Sequence, residues 1–202
     1  MNETDAREIS LEALRAGDRD EFARLVDVYS GPIYRLGMRM LGREQDAEDM
    51  LQNTFTKVLQ HIGGFEQRSS LSTWIYRIAT NEALMMLRRM HPEVNLDDDG
   101  NEDDENFTPV QIVDWGALPE DRLLSGEAKQ MLDRSIQNLP ENLRLVFVLR
   151  DIEGLSIKET SEALNLTETN VKTRLLRARL NLREKLSAYY GERFPRELEE
   201  NE

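Results

Sequence analysis

The sequence predicts an all-α protein with two small helical domains joined by a flexible acidic linker. Apolar residues recur every three or four positions along most of the chain, which is typical of amphipathic helices. No run of residues alternates between apolar and polar side chains as a half-buried strand does. The helical periodicity disappears in the segment NLDDDGNEDDEN at residues 95–106. A chain of 202 residues can fold as two domains that each bury a modest apolar core.

The first domain is predicted to span residues 1–90 and to contain four helices. Gly17 ends the first helix, and Asp18 caps the second, which continues to Gly42. A polar loop at residues 65–70 separates the third helix from the fourth. The apolar faces of helices two, three and four contain Phe22, Leu25, Val26, Tyr29, Ile33, Leu36 and Met40, then Leu51, Phe55, Val58 and Leu59, then Leu71, Trp74, Ile75 and Ile78.

The linker is predicted to span residues 91–118. Nine acidic residues lie between Glu93 and Asp114, and no Lys or Arg lies between Arg89 and Arg122. Such a segment cannot bury enough apolar surface to offset the entropy that ordering would cost. The whole chain carries a net charge of −13, and because nine of these charges lie here, the remainder carries only −4.

The second domain is predicted to span residues 119–190, followed by a charged and frayed tail at residues 191–202. Pro119 suits the first turn of a helix that Pro140 ends, and the continuous apolar run Leu143–Leu149 indicates a buried central helix. The apolar face of the helix between the two prolines contains Leu124, Ala128, Met131 and Leu132.

A helix-turn-helix is the strongest local pattern in the second domain. Ser156 and Glu159 have the spacing of a capping box, which would open a short helix. Asn165 follows that helix and tolerates the left-handed backbone that a turn requires. Thr167 can cap the next helix. The segment 166–190 carries six Lys or Arg against two Glu, so the local charge favours nucleic acid although the chain is acidic.

The second helix of this motif has the two faces that a recognition helix needs. Val171, Leu175, Ala178 and Leu182 fall on one side and should pack on the domain. The opposite side contains Thr169, Asn170, Thr173, Leu176 and Arg177, with Lys172 and Arg174 on its flanks. Arg177 suits guanine, Asn170 suits adenine, and Lys172, Arg174 and Arg179 suit phosphates. The same spacing also fits an exposed basic helix in a bundle, so it does not by itself establish DNA binding.

Two blocks of the sequence resemble a known family. The segment Leu155–Arg179, together with SIQNLPENLRLVFVLRDIEGLS upstream, resembles region 4 of bacterial sigma factors. DAEDMLQNTFTKVL at Asp46–Leu59 and LSTWIYRIATNEALMMLRR at Leu71–Arg89 resemble region 2. This order, with a short variable linker between the blocks, is similar to the extracytoplasmic-function (ECF) group of the sigma-70 family. The resemblance implies a subunit that binds core RNA polymerase and directs promoter recognition, DNA melting and transcription initiation.

The resemblance also assigns roles to individual residues. It implies that the helix over residues 46–59 docks on the polymerase through Asp46, Asp49, Gln52 and Asn53. It implies that the minus-ten promoter element is recognised as an opened strand by Ser69, Ser70, Arg77, Asn81, Arg88 and Arg89. It maps contacts to the minus-thirty-five element onto Lys172, Thr173, Leu176 and Arg177. Trp74 lies on an apolar face, so we predict a core position for it. The linker is expected either to thread basic channels of the polymerase or to act as a plain tether.

A catalytic role is not expected. His61 and His91 are isolated, and the sequence has neither a metal-ligand spacing nor a glycine-rich phosphate loop, so no cofactor or metal is predicted. The absence of cysteine, of a signal-peptide pattern and of any apolar run near 20 residues favours a cytoplasmic protein without membrane insertion. An anti-sigma factor is a common partner in the ECF group. The alternative function is an autonomous helix-turn-helix transcriptional regulator, which would bind promoter DNA without polymerase.

Overall fold

The structure is a computed structural model of the chain, and it describes residues 9–90 and 126–193. These residues form eight α-helices and no strand, which confirms the all-α prediction. The helices are α1 (Leu11–Arg15), α2 (Arg19–Leu41), α3 (Glu44–His61), α4 (Leu71–Met90), α5 (Gly126–Gln137), α6 (Glu141–Phe147), α7 (Ile157–Leu164) and α8 (Glu168–Arg193). The predicted linker at 91–118 and the predicted helix start from Pro119 to Leu124 lie outside the described residues. Helix α8 continues to Arg193, three residues into the predicted tail, and residues 194–202 also lie outside.

The first domain consists of α1 to α4, as predicted. Gly17 and Gly42 adopt positive φ angles of 79° and 75° at the ends of α1 and α2, a conformation that favours glycine. Asp18 caps α2 because its carboxylate accepts hydrogen bonds from the backbone N–H groups of Asp20 and Glu21. Sequence-based placement of these helix ends was therefore reliable.

The core of the first domain lies between α2, α3 and α4. Its fully buried side chains include Tyr29, Ile33, Leu36, Met40, Met50, Val58, Ile75 and Tyr76. Helices α2 and α3 approach closely at Gly37, where an added Cβ would lie 3.1 Å from the Cα of Ala47. One predicted core residue is wrong: Leu59 is 53% exposed. The buried residues of α3 span an arc that ends at Phe55, and Leu59 lies about 40° beyond Phe55 around the helix axis, so it faces solvent.

The second domain packs α5, α6 and α7 around the first half of α8. The predicted central helix at Leu143–Leu149 is fully helical, but it changes at Val148 from α-helix to a π-helical turn that ends at Ile152. Leu145 to Leu149 are all buried, which confirms the prediction of a central helix. Gly154 then ends this helix with a φ of 78°. The π-helical turn also carries Asp151, whose role is described below.

The two domains are in direct contact, a feature that the sequence patterns do not predict. Helix α7 packs against α4, and α2 contacts α5 and α6. The hydroxyl of Tyr76 in α4 donates to the carboxylate of Glu153 across this contact, over 3.2 Å. The described residues therefore form one closed arrangement of two domains.

Candidate nucleic-acid interface

The helix-turn-helix is built by the caps that the sequence predicts. Ser156 Oγ accepts from the Glu159 N–H at 3.1 Å, and the Glu159 carboxylate accepts from the Ser156 N–H at 2.8 Å, so both halves of the capping box are present. Asn165 ends α7 in the left-handed region with φ 54°. Thr167 Oγ1 accepts from the Asn170 N–H at 3.2 Å and caps the start of α8. These contacts fix the angle between α7 and α8.

Helix α8 separates its apolar and polar residues as predicted. Val171, Leu175, Ala178 and Leu182 are all buried. The opposite side, which we call the minus-thirty-five face, has Thr169, Asn170, Lys172 and Arg177 exposed and Thr173, Arg174 and Leu176 half-buried. The burial of the inner side holds the helix on its domain while the outer side stays available to a ligand.

The cationic side chains of the minus-thirty-five face differ in how accessible they are to DNA. Lys172 lies 3.9 Å from Glu168 one turn earlier, a weak surface ion pair that a phosphate can displace. Partial burial lowers the pKa of the Arg174 guanidinium, because desolvation disfavours its charged form. Arg177 is exposed at the outer side of the helix. Of the three, the geometry most favours Arg177 and Lys172 for contacts with DNA.

Arg179 has a structural partner that sequence reasoning missed. Its Nε and Nη2 atoms donate to the two carboxylate oxygens of Asp151, each at 2.8 Å, and about a quarter of its side chain is exposed. This bidentate pair ties α8 to the π-helical turn. The predicted phosphate contact would have to compete with it. No local signal could have found the pair, because 28 residues separate its members.

The candidate residues for the minus-ten element lie along α4 and the loop before it. We call Ser69, Ser70, Arg77, Asn81, Arg88 and Arg89 the minus-ten face. Arg77, Asn81 and Arg88 are exposed and fall within about 40° of one another around the helix axis, so they form one stripe. Ser70 accepts from the Thr73 N–H at 3.0 Å and caps α4, while Ser69 is half-buried beside it. Arg77, Arg88 and Asn81 are therefore aligned on α4. Ser70 has a structural role as well, because it caps this helix.

Trp74 positions the loop in front of α4. Its ring lies 4.9 Å from that of Phe65, tilted by 33°, and Phe65 is buried. The guanidinium of Arg15 donates to the Phe65 carbonyl oxygen and holds the same loop from the other side. Trp74 packs against the core, as predicted, but it remains partly exposed.

The candidate polymerase surface lies on α3. Asp49, Gln52 and Asn53 are exposed, whereas Asp46 is half-buried. Leu59 lies close to Gln52 around the helix axis, so an apolar side chain extends this polar surface toward the end of the helix. Sequence reasoning missed Leu59 as a surface residue, because its position just beyond the edge of the apolar arc is not distinguished by periodicity alone.

A partly buried ion pair joins the candidate polymerase helix to the candidate promoter helix. Lys57 in α3 donates to Glu82 in α4, and only 2% of the Glu82 side chain is exposed. Glu82 follows Asn81 directly, so this pair lies beneath the minus-ten face. It fixes the register of α3 against α4.

Residues 9–90 and 126–193 contain neither a cluster of metal-ligating side chains nor a membrane-spanning helix. Within those ranges no group of three His, Asp or Glu side chains could hold a metal ion. No helix of the described chain is both long enough and apolar enough to cross a membrane.

Two family models match the chain. Sigma-70 region 2 matches residues 25–91, and Sigma-70, region 4 matches residues 129–182. These ranges contain the minus-ten face and nearly all of the helix-turn-helix domain. They correspond to the two blocks on which the sequence resemblance rests.

Curated relatives match over nearly their whole length. The chain is 39% identical over 176 residues to the ECF RNA polymerase sigma factor SigW of Bacillus subtilis, which covers 87% of this chain and 94% of that one. It is 33% identical over 179 residues to the ECF RNA polymerase sigma-E factor of Haemophilus influenzae, covering 87% and 93%. The sigma-E factor of Escherichia coli is 31% identical over 182 residues, covering 89% and 93%.

Solved structures share the fold. CnrH, solved in complex with the cytosolic domain of CnrY, matches with a TM-score of 0.64 and 23% identity over 91% of this chain and 98% of that one. The sigma factor RpoE of Bartonella quintana, solved in complex with the anti-sigma factor NepR, matches with a TM-score of 0.60 and 22% identity, over 83% and 97%. Together with the family models and the curated relatives, these matches confirm the resemblance: the chain belongs to the sigma-70 family, within its ECF group of RNA polymerase sigma factors.

Proposed function

We propose that this sigma factor binds core RNA polymerase through α3 and recognises a two-part promoter through α4 and α8, without catalysing a reaction itself. The observation that carries the proposal is the same in both domains: a polar, cationic stripe lies on the outer side of a helix whose inner side is buried. Such a helix can approach DNA without unfolding its own core.

The minus-thirty-five element is the proposed ligand of α8. Arg177 is exposed and has the two parallel donors that match guanine, and Asn170 has the donor and acceptor that match adenine. Lys172 lies beside them and suits a phosphate, which would position the helix rather than select a sequence. The charge of this segment also opposes the acidity of the rest of the chain, so DNA approaches a locally favourable field.

The minus-ten element is the proposed ligand of α4 and its preceding loop. Arg77 and Arg88 are spaced along one stripe and can accompany a phosphate backbone, while Asn81 between them can hydrogen-bond an unpaired base. An opened strand exposes its base edges, so one amide can contribute to sequence choice there. Trp74 and Phe65 support this surface from the side of the loop.

Core polymerase is the proposed partner of α3. Asp49, Gln52 and Asn53 offer acidic and amide groups on a solvated side, and Leu59 adds exposed apolar area to the same helix. Interfaces of this kind combine a small apolar centre with a polar rim. We propose that Leu59 supplies the apolar centre here. An anti-sigma factor is also proposed as a partner, because the similar sigma factor RpoE was solved in complex with the anti-sigma factor NepR.

Transcription assays with core polymerase test the proposal directly. Purified protein added to bacterial core polymerase should give specific start sites on a randomised promoter library without ATP hydrolysis by the protein. A gel shift of the protein alone on duplex promoters discriminates the alternative, since an autonomous regulator would bind specifically without polymerase. Specific binding alone, together with no effect on initiation, would overturn the proposal.

The polymerase surface has its own test. Replacing Asp49 and Gln52 together by Ala, and separately Leu59→Ala, should weaken binding to core polymerase while leaving helicity unchanged. Asp27→Ala is the matched control, because Asp27 is an exposed acid on α2 outside this surface. If the three variants bind core polymerase equally well, α3 is not the docking helix.

A further inference from the structure

Three cations lie on one flank of α8, beside the minus-thirty-five face. Lys172, Arg179 and Arg183 fall within about 40° of one another around the helix axis, at 100° per residue. Lys172 and Arg179 are seven residues apart, so they are separated by about 10 Å along this axis at 1.5 Å per residue. The flank is therefore a row of positive charge along which one strand of a DNA backbone can run.

The acidic partners of Lys172 and Arg179 differ in how firmly they hold the cation. Lys172 lies 3.9 Å from Glu168, and 64% and 53% of the two side chains are exposed. Arg179 donates from Nε and Nη2 to both carboxylate oxygens of Asp151, each at 2.8 Å, and only 27% and 16% of these side chains are exposed. Two charge-assisted hydrogen bonds in a half-buried setting resist a passing phosphate better than one solvated contact does.

The π-helical turn holds Asp151 against α8. The Glu153 N–H donates to the Val148 carbonyl oxygen five residues back at 2.9 Å, and the Leu155 N–H donates to that of Leu149 at 3.0 Å. This wider turn changes the direction in which Asp151 projects from the helix, and such turns are frequent at functional sites. Because Val148, Leu149 and Leu155 are all buried, Asp151 stays on a rigid element and cannot follow Arg179 toward a ligand.

We infer that Asp151 withholds the Arg179 guanidinium from the DNA backbone and thereby limits how tightly α8 binds DNA of any sequence. This role rests on the proposed function, in which α8 is the helix that lies on DNA. A phosphate contact adds affinity without selecting a sequence, so a released cation at position 179 would strengthen binding to DNA outside promoters. Such sites greatly outnumber promoters in a genome and compete for the protein. Asp151 keeps that competition low.

A pair that is only structural gives a different result when it is broken. Loss of Asp151 would then lower the free energy of unfolding and leave DNA binding unchanged or weaker. In the withholding role, the same loss releases a cation that is already partly in water and lies on the flank of the DNA-binding helix. Tighter and more salt-dependent DNA binding by a less stable variant therefore distinguishes the two roles.

Salt titration of DNA binding by the full-length protein tests the withholding role. The probe is a duplex that carries neither promoter element. Asp151→Ala should steepen the fall of log affinity with log salt by about 0.9, the value for one phosphate contact. It should also bind this duplex about fivefold more tightly than the wild type at about 0.15 M salt, with the two affinities converging near 1 M. Asp151→Asn keeps the size of the side chain without its charge and should change both quantities in the same direction.

Two further variants isolate the cation. Arg179→Ala should keep the wild-type slope, because the wild-type guanidinium does not contact DNA. Asp151→Ala combined with Arg179→Ala should return the slope to the wild-type value. Asp27→Ala is the matched control, since it removes one exposed acid from the first domain and makes the same change in net charge. An unchanged slope in Asp151→Asn with helicity preserved, or a raised slope that persists in the double variant, would overturn the inference.

Lys172→Ala separates this inference from the proposed function. On the same duplex it should lower the slope by about one ion. If it does so while both Asp151 variants keep the wild-type slope, α8 lies on DNA and only the withholding role is overturned. If neither Lys172→Ala nor the Asp151 variants change the slope, α8 does not lie on this DNA and both proposals fail.

Discussion

Helices α8 and α4 both present polar stripes to solvent, but their surroundings differ. The minus-thirty-five face of α8 includes exposed Asn170, Lys172 and Arg177, and the opposite side of the helix supplies the burial. Helix α4 is packed by α3 on one side and by α7 of the other domain on another, so the loop end of its minus-ten face borders the acids of α7. The first face is complete within its own domain, whereas the loop end of the second is lined in part by residues of the other domain.

Because of this difference, the minus-thirty-five face and the minus-ten face can be affected independently of each other. A face that needs only local caps and a buried stripe is present whenever its domain is folded. A face that borders another domain also experiences the charges of that domain. Mutations in the two faces should therefore differ in the size of their effect on transcription and in whether a pre-melted template rescues that effect.

The largest expected effect follows Arg177→Ala. Arg177 is exposed on the side opposite the buried stripe, so its loss should leave the fold unchanged. If Arg177 contacts guanine through two hydrogen bonds, its loss should cost about 1–3 kcal/mol and relax preference at one upstream position. Selection on randomised promoters with the holoenzyme measures this. A shift confined to the downstream element would break the proposed division between the helices.

Asn81→Ala should reduce initiation for a different reason. Its proposed partner is an opened strand, so its loss should impair melting, and a pre-melted template should rescue part of the activity. Comparison of initiation rates on duplex and pre-melted templates checks this, with Arg177→Ala as the control that a pre-melted template should not rescue. No rescue of Asn81→Ala would remove it from strand recognition.

Variants of Arg179 and Lys172 distinguish a structural cation from a DNA-binding cation on the same helix. Arg179→Ala breaks the bidentate pair with Asp151, so it should lower the free energy of unfolding by about 1.5 kcal/mol, the lower end for hydrogen bonds to charged groups. Lys172→Ala should leave stability unchanged but lower the salt dependence of DNA binding by about one ion. Thermal unfolding and salt titrations measure the two effects. The reverse pattern would show that Arg179 is the phosphate contact.

The smallest expected effect is a pH dependence of stability that arises from Glu153 at the contact between the domains. Burial raises the pKa of Glu153 above its ordinary value of 4.5, although Arg35, the Tyr76 hydroxyl and Arg39 act in the opposite direction. Glu153 thus binds a proton more tightly in the folded protein than in the unfolded chain, and the folded protein gains stability from this. Its extra stability is complete below the ordinary pKa and is lost as the pH rises through the raised one. Thermal unfolding should therefore show this contribution declining from about pH 4.5 upward in the wild type, whereas Glu153→Gln, which keeps the hydrogen-bonding shape, should lack it.

Much of the recognition helix could be predicted without coordinates. The capping box at Ser156, the left-handed Asn165 and the buried positions from Val171 to Leu182 depend on contacts within a few residues or on helical period, and all were confirmed. The core position predicted for Leu59 was wrong, because a helical period of 3.6 residues does not fix the edge of an apolar stripe to within one position. The Arg179 partner was missed because Asp151 is brought to it only by packing.

The sequence by itself determined the class of fold, the two helical domains and the family, because local caps, periodicity and motif order are short-range properties of the chain. Tertiary structure decided which polar groups are already engaged. It paired Arg179 with Asp151, buried Glu82 against Lys57 and enclosed Glu153 between Arg35, Arg39 and Tyr76. The physical reason is that charge pairing and desolvation depend on distances of a few ångströms between residues far apart in sequence, and those distances exist only once the helices have packed.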